Sequence, residues 1–507
     1  MIKIIKRAGL VLFLVVVMAL ALSSCTKDDG LIKYKSVKGG YEVVGVVDKN
    51  AESVVIPESF NGKSVVGIAD EAFRGTNIQS ISIPSSVKSI GLNAFEYCLF
   101  LDVVELSSAD LMANVKLENI YSSPFNNGAA LFVGGEMVTE LKINGGKISD
   151  YAYAGCTSIE ELVLFEVEEI GVGSFKDCVG LKAAYLDSKL VSIGANAFSG
   201  NALGTVTIPK SCVSIGHSAF SYNSQLRSVI LPDSITKIAD RTFSNCGALE
   251  IINLENIVEI GGYAFYNCES MTTLDLSAKT LKIEEYAFYN CGLTVVNIPE
   301  DSNLEFIGEA AFRGCTALEE IYLDKAKSLV TIGKSAFEYC EGLTDLTLPS
   351  SLEELGDWAF SGCDNLKYNI QNGVGYIGNH ENRFIMLHKY LDQSKTKVSV
   401  SDKTKFIHTA AFKDAKSLTS VRMIASVRSI GSQAFAFCTS LEELILPKSL
   451  RIIGDGAIMG CKAISSVKFM GTSDQWNKSE DPGYVKKGTN WKYGAGKYSI
   501  SYNYVAN

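Results

Sequence analysis

The chain has 507 residues, of which 47% are hydrophobic, with 47 Lys and Arg against 56 Asp and Glu for a formal net charge of −9. That balance, with no basic stripe to neutralise phosphates, excludes a nucleic-acid binder. The length would ordinarily imply two or three domains, unless the chain is a repeat array in which each unit packs only on its neighbours.

The N-terminus reads as an export signal. Lys3, Lys6 and Arg7 precede an unbroken apolar run from Leu10 to Ala21. The run is short for a membrane span, which needs about 20 residues, and its flanks are those of a signal peptide. It ends in Leu22, Ser23, Ser24 and Cys25, which resembles a bacterial lipobox. In such a signal Cys25 is the lipid attachment site and residues 1–24 are removed, so the expected membrane partner is reached through an N-terminal lipid anchor. Thr26, Lys27, Asp28, Asp29 and Gly30 resemble the acidic tether that directs some outer-membrane lipoproteins to the cell surface. Residues 25–40 are therefore expected to be a tether.

The repeat region is expected over residues 41–470. Alternation through Tyr41, Val43, Gly45 and Val47, then Val54 and Ile56, predicts short strands of an N-terminal cap. From there one pattern recurs, as in Ile257–Leu276, with Ile260, Gly261, Ala264, Phe265, Cys268, Met271, Leu274 and Leu276 as its fixed points. Its aromatic stands at Phe73, Phe95, Tyr153, Phe175, Phe198, Phe220, Phe243, Phe265, Phe288, Phe312, Phe337, Phe360, Phe412 and Phe435, and Ile458 replaces it in the last unit. Most steps are 22 or 23 residues, but two are 58 and 52. Each long step is expected to hold two units plus a hairpin that projects from the stack. One lies near 124–145 around Gly134 and Gly135, the other near 368–400 with a turn at Gly378 and Asn379. Residues 471–507, with Trp476, Trp491 and an alternating end at Tyr498, Ile500, Tyr502 and Tyr504, predict a β-rich C-terminal cap whose Trp residues are core.

A fixed period of this length marks a solenoid. In Leu249, Ile252 and Leu254 the alternation around Asn253 predicts a one-faced strand. The Ile-Gly before each aromatic predicts a second extended segment, turning into a short helical or 3-10 turn. Stacked as parallel strands, the units would span roughly 75–80 Å. Eleven of the thirteen cysteines fall three residues after the aromatic, with Asn201 and Asn223 in the same column. Each would have equivalent neighbours and no unique mate, so buried free thiols are expected rather than disulfides. No closed ligand set surrounds them, and no metal or other cofactor is expected. Cys212 is off register.

Units of the form SIGxxAFxxCxxLxxVxLPxS resemble the BspA-type leucine-rich repeats of bacterial surface proteins, over nearly everything from Tyr41 to Phe469. The run Gly471, Thr472, Ser473, Asp474, Gln475, Trp476 resembles that family's usual ending. The resemblance implies an elongated, curved, β-rich solenoid and attachment to host matrix proteins, other cells or glycans, and it brings no catalytic residues. The chain itself agrees: no H-E-x-x-H, nucleophile elbow or phosphate loop is present, and acidic pairs such as Glu319–Glu320 recur at repeat spacing as solvated surface.

Binding candidates come from the positions the frame leaves free. The outward strand position carries Tyr185, Asn253, Asp275, Asn297 and Tyr322, a polar face flanked by aromatics. A second cluster is Tyr263, Tyr266, Tyr286 and Tyr289, which neighbouring units would stack around the turn. Tyrosine combines contact area with a polar handle and is favoured at interfaces; the same residues would equally serve to cover the edge of the stack. The expectation is a surface-anchored, non-enzymatic, monomeric lipoprotein that binds a protein or glycan ligand. Its rivals are a glycan-capture accessory lipoprotein of an outer-membrane uptake system and a structural spacer.

Overall fold

The computed structural model describes residues 27–478 and 483–505. Cys25 and the signal lie outside the described residues. The chain divides into two compact units, residues 1–234 and 235–507.

In the first unit the cap begins earlier than the sequence predicts. Ile32–Val37 is a strand, antiparallel to Gly40–Val46, with Ile32 and Tyr34 fully buried. The expectation of a tether through residue 40 is therefore corrected. Ile32 and Tyr34 alternate with Lys33 and Lys35, so the segment has one apolar face, and Tyr34 stacks on Phe60 at 4.1 Å.

The body of each unit is built from turns carrying two short parallel strands apiece. In the second unit Lys237–Ile238, Glu259–Ile260, Lys282–Ile283, Phe306–Ile307, Thr331–Ile332 and Glu354–Leu355 form one parallel sheet. Thr273–Asp275, Val295–Asn297, Glu320–Tyr322 and Asp345–Thr347 form another. The aromatics stack between them: Phe288 lies 5.1 Å from Phe265 and 5.3 Å from Phe312, with planes within 9°. Where a glycine follows the isoleucine, the turn before packs closely against it. A Cβ on Gly333 would stand 2.5 Å from the carbonyl carbon of Gly308 in the turn before.

The segment around each aromatic is not the helical or 3-10 turn that the pattern predicts. Two left-handed residues, such as Tyr263 and Asn267, both at φ 58°, bracket Phe265 and prevent a helix from propagating. Backbone donors then alternate. The N–H groups of Tyr263, Phe265 and Asn267 donate to Glu285, Ala287 and Tyr289 of the next turn, while those of Ala264, Tyr266 and Cys268 close local turns. This makes a third ladder between neighbouring turns and over-determines the unusual φ values.

The cysteine column completes the pairing. Cys268 donates its thiol to the carbonyl of Phe243 at 3.2 Å, Cys291 to Phe265 at 3.0 Å and Cys315 to Phe288 at 3.2 Å. Asn223 does the same with its amide, at 2.7 Å from Phe198 O. At Asn223 the amide replaces the thiol as the donor beneath a buried carbonyl, whereas the buried amide of Asn201 makes no such bond. The twelve described cysteines are all free and buried. In the regular run burial keeps the thiol protonated, pushing Cys315 and Cys363 up to about 12. Off-register Cys212 is a small apolar filler: its turn, closed by Cys212 N to Pro209 O at 3.0 Å, is equivalent to that of Leu352 on Pro349.

The two long steps differ from expectation. Phe125 supplies the missing ring of the first, 6.2 Å from Tyr153. Gly134–Gly135 does join a hairpin, Ala130–Val133 with Glu136–Met137, but Ala130–Val133 also pairs in parallel with Val103–Leu106 and belongs to the stack. In the second step Asn369–Gln371, Val374–Ile377 and Met386–Tyr390 form an antiparallel meander. It does not project, since Val374, Tyr376, Ile377, Met386, Leu387 and Tyr390 are buried. The loop between its last two strands is residues 378–385, longer than a Gly378–Asn379 turn.

This insertion interrupts the backbone ladder, and side chains close the joint. Phe360 N–H donates to His408 Nε2 at 3.2 Å, and Trp358 N–H to Thr409 Oγ1 at 2.9 Å. Asp357 accepts from Ser432 N at 2.7 Å and Ser432 Oγ at 2.6 Å. His388 and His408 lie 4.5 Å apart. Burial is the main cause that lowers both, His388 to about 4 and His408 well below the usual imidazole value, so both are neutral in the fold.

The C-terminal cap is core, as predicted, and its Trp476 and Trp491 pack on Phe469 and Ile458. It opens with a short helix, Ser473–Asn477, in which Thr472 and Gln475 form a reciprocal capping box.

Candidate binding surfaces

Three rows of side chains in the second unit make a polar and aromatic patch. Because Tyr263 and Tyr286 occupy the same left-handed position of adjacent turns, their rings stack at 4.7 Å and 7°. Arg241, one turn earlier, places its guanidinium 4.6 Å over the ring of Tyr263. Tyr266 and Tyr289 stack in the next row at 4.9 Å and 10°. The third row is an amide ladder: Asn267 Nδ2 donates to Asn245 Oδ1 at 3.0 Å, and Asn290 Nδ2 to Asn267 Oδ1 at 3.1 Å. The sequence reading of this quartet as one stacked cluster holds.

The four rings are half-buried. Stacking occupies ring faces and leaves edges and hydroxyls to solvent. Burial, then the nearby Glu309 charge, raises the phenol of Tyr286, which stays a hydrogen-bond donor. The patch is held in one geometry before any partner arrives, so little side-chain entropy remains to be lost on contact.

The strand-face candidates are less uniform. Asp275 and Asn297 are exposed and register-paired, with Asn297 Nδ2 donating to Asp275 at 2.6 Å. Tyr322 is 39% exposed and donates its hydroxyl to Glu320, which raises its pKa. Asn253 is only half-buried and follows the two-residue strand Ile251–Ile252, in which Ile251 rather than Asn253 is the exposed residue, at 62%. Tyr185 belongs to the first unit. It is 57% exposed beside a cleft of about 360 Å³, where Ala183–Tyr185 and Thr205–Thr207 lie in separate sheets.

Sequence reasoning missed a further set of exposed rings. Tyr97, Tyr222, Tyr339 and Phe437 stand two residues after the aromatic, at the second left-handed position. The spacing was visible, but the direction those side chains take was set by φ. Arg313 lies 5.4 Å over Tyr339, as Arg74 lies 5.8 Å over Tyr97.

No described group of three or more His, Cys, Asp or Glu could hold a metal ion, and no described helix is long and apolar enough to cross a membrane. His380 is exposed, and His388 and His408 are joint residues.

The sequence model described as BspA type Leucine rich repeat region matches six copies, over residues 48–131, 146–272, 258–383 and 387–479. The chain belongs to this family. Solved structures similar to this BspA-type chain include a leucine-rich repeat protein from Bacteroides ovatus, 25% identical over 94% of this chain and 99% of that one, with a TM-score of 0.44. A leucine rich cell surface protein from Faecalibacterium prausnitzii is 19% identical over 90% and 98%, with a TM-score of 0.39. The leucine rich repeat protein of T. pallidum is 20% identical over 58% and 90%, at 0.23. No curated protein matches the chain. Membership of a leucine-rich repeat family gives the BspA-type chain a protein-binding or recognition role.

Proposed function

We propose that this BspA-type protein is a non-catalytic adhesin or recognition protein, held at the cell surface by a lipid on Cys25, that binds a protein ligand through the tyrosine patch. The observation that carries this reading is the pre-stacked array of Arg241, Tyr263, Tyr266, Tyr286 and Tyr289 beside the Asn245–Asn267–Asn290 ladder. Interface hot spots are rich in tyrosine and arginine, and rings already fixed by stacking suit that use. Asp275, Asn297 and Tyr322 supply a second polar surface in the same unit. The lipobox-like Leu22–Cys25 supports the anchor.

The test is binding of the purified chain to arrays of extracellular-matrix proteins and of polysaccharides. Protein ligands should be retained, and Tyr263→Ala with Tyr286→Ala should weaken them by tenfold or more, the loss of about 1.4 kcal/mol that one hot-spot contact represents. Retention by polysaccharides alone would favour glycan capture, and silence on both would favour a spacer. Protease treatment of intact cells tests display. A chain fully protected, or one found in the soluble fraction despite an intact Cys25, would defeat the anchor.

A further inference from the structure

The second unit contains a cleft of about 760 Å³ that repeat stacking does not explain. It forms beside the joint, where the sheet ending at Glu354–Leu355 meets Phe406–Ile407, Ser429–Ile430 and Ile452–Ile453. Outward positions become concave there. Phe406 is 1% exposed, although its counterparts Lys282 and Lys237 on regular turns are open to solvent.

The two walls differ in charge. Arg428 and Arg451 precede the register partners Ser429 and Ile452, and Lys486 pairs with Ile452 on the following turn. Three cationic side chains thus follow one another on consecutive turns of an acidic chain. Arg428 is paired with Glu353 across the cleft. Arg451 donates through Nη1 to the carbonyls of Lys448 at 3.0 Å and Leu450 at 2.9 Å, which orients the guanidinium. Neither Arg451 nor Lys486 meets a carboxylate among the described residues. The floor is aliphatic, with Ile452 45% exposed and Leu355 half-buried. Among the described residues Glu354–Leu355 pairs with Thr331–Ile332 on one edge and with no strand on the other.

We infer that this cleft is a second recognition site, separate from the tyrosine patch, and that it takes an extended peptide in which acidic and aliphatic side chains alternate. An extended chain sends successive side chains to opposite sides. One row then sets carboxylates on the forks of Arg451 and Arg428 and on Lys486, and the other sets aliphatic groups on Ile452 and Leu355. An acidic saccharide fits the cations but not the floor. Its hydroxyls would lose water against Ile452 and Leu355 without gaining a partner, and the one ring in the lining, Phe406, is buried. Glu353 competes with the peptide for Arg428.

The experiment is fluorescence anisotropy of a labelled peptide of alternating glutamate and valine, titrated with the full chain. Saturable binding that weakens with salt is expected. Arg451→Gln and Lys486→Gln, which keep side-chain bulk, should each weaken binding about tenfold. Glu353→Gln should tighten it by freeing Arg428. Lys462→Glu, outside the cleft, and Tyr263→Ala, in the tyrosine patch, should leave it unchanged, so failure here and failure of the adhesion reading are distinguishable. Equal binding of a lysine and valine peptide, stronger binding of oligogalacturonate, or indifference to Arg451→Gln in a chain with unchanged melting temperature would each overturn the assignment.

Discussion

Within the second unit, the turns from Lys237 to Leu355 and the joint from Asp357 to Ser432 solve one problem in two ways. On regular turns the aromatic's amide donates to the next turn's backbone, as Phe312 does to Ala336 O at 2.8 Å and Phe337 to Ala359 O at 2.7 Å. Across the joint the equivalent amide of Phe360 donates to an imidazole, and the flanking contacts fall to Thr409 and Asp357. Backbone closure tolerates almost any residue at the free positions. Side-chain closure depends on residue identity and, for His408, on protonation state. The joint is therefore where the unit should be chemically sensitive, and the regular run where it should be sensitive only to volume.

The largest effect expected is on the regular run. Phe288→Ala removes a ring stacked on both faces and should cost about 3–5 kcal/mol, read as a lower urea midpoint. A loss below 1 kcal/mol would mean that the stack can collapse around the gap. Acid should act on the joint instead. His388 is held at about 4 in the fold against 6.5 unfolded, so above pH 6.5 both states are neutral and its stability is fully present. As pH falls from 6.5 towards 4 only the unfolded state takes up the proton, and about 3 kcal/mol is lost. His408, also depressed, adds in the same direction. Urea midpoints at pH 7 and pH 5 measure this, and His388→Phe should flatten the difference.

Asp357→Asn retains shape but loses a carboxylate that accepts from both Ser432 N and Oγ, at about 1.5–3 kcal/mol. Hydrogen exchange should quicken at Trp358 and Phe360 and remain slow at Phe312. Uniform acceleration would show that the joint and the regular run open together. Cys291→Ala leaves the carbonyl of Phe265 without its thiol donor and should cost about 1 kcal/mol, whereas Cys291→Ser should restore most of it. The smallest effect belongs to the exposed face: Tyr185→Ser should alter stability by less than about 0.5 kcal/mol.

Much of this was legible in the residues. The period, the aromatic stack and the unpaired thiols followed from repetition, because positions that face identical neighbours must satisfy identical constraints. The tyrosine quartet was legible for the same reason, since Tyr263 and Tyr286 hold one place in adjacent turns. Other features were not. Ile32 and Tyr34 carry too short an alternation to reveal a strand until Gly40–Val46 is placed beside them. Asn253 was legible as an outward position, but not that it is half-buried while Ile251, two residues before it, is 62% exposed. The aromatic turn looked helical because Ala-Phe favours it locally, and the ladder to the next turn overrode that preference with two left-handed residues.

By itself the sequence determined the frame: which residues are inside, how often the chain turns, and that its cysteines lack unique mates. These are local and periodic properties, and repetition writes them out many times over. The joint, the cleft and the direction taken by the free side chains were decided only by tertiary structure. Each depends on residues far apart in the chain, such as Asp357 with Ser432 or Glu353 with Arg428, whose proximity exists only after the insertion has packed. No periodic signal records a contact that occurs once.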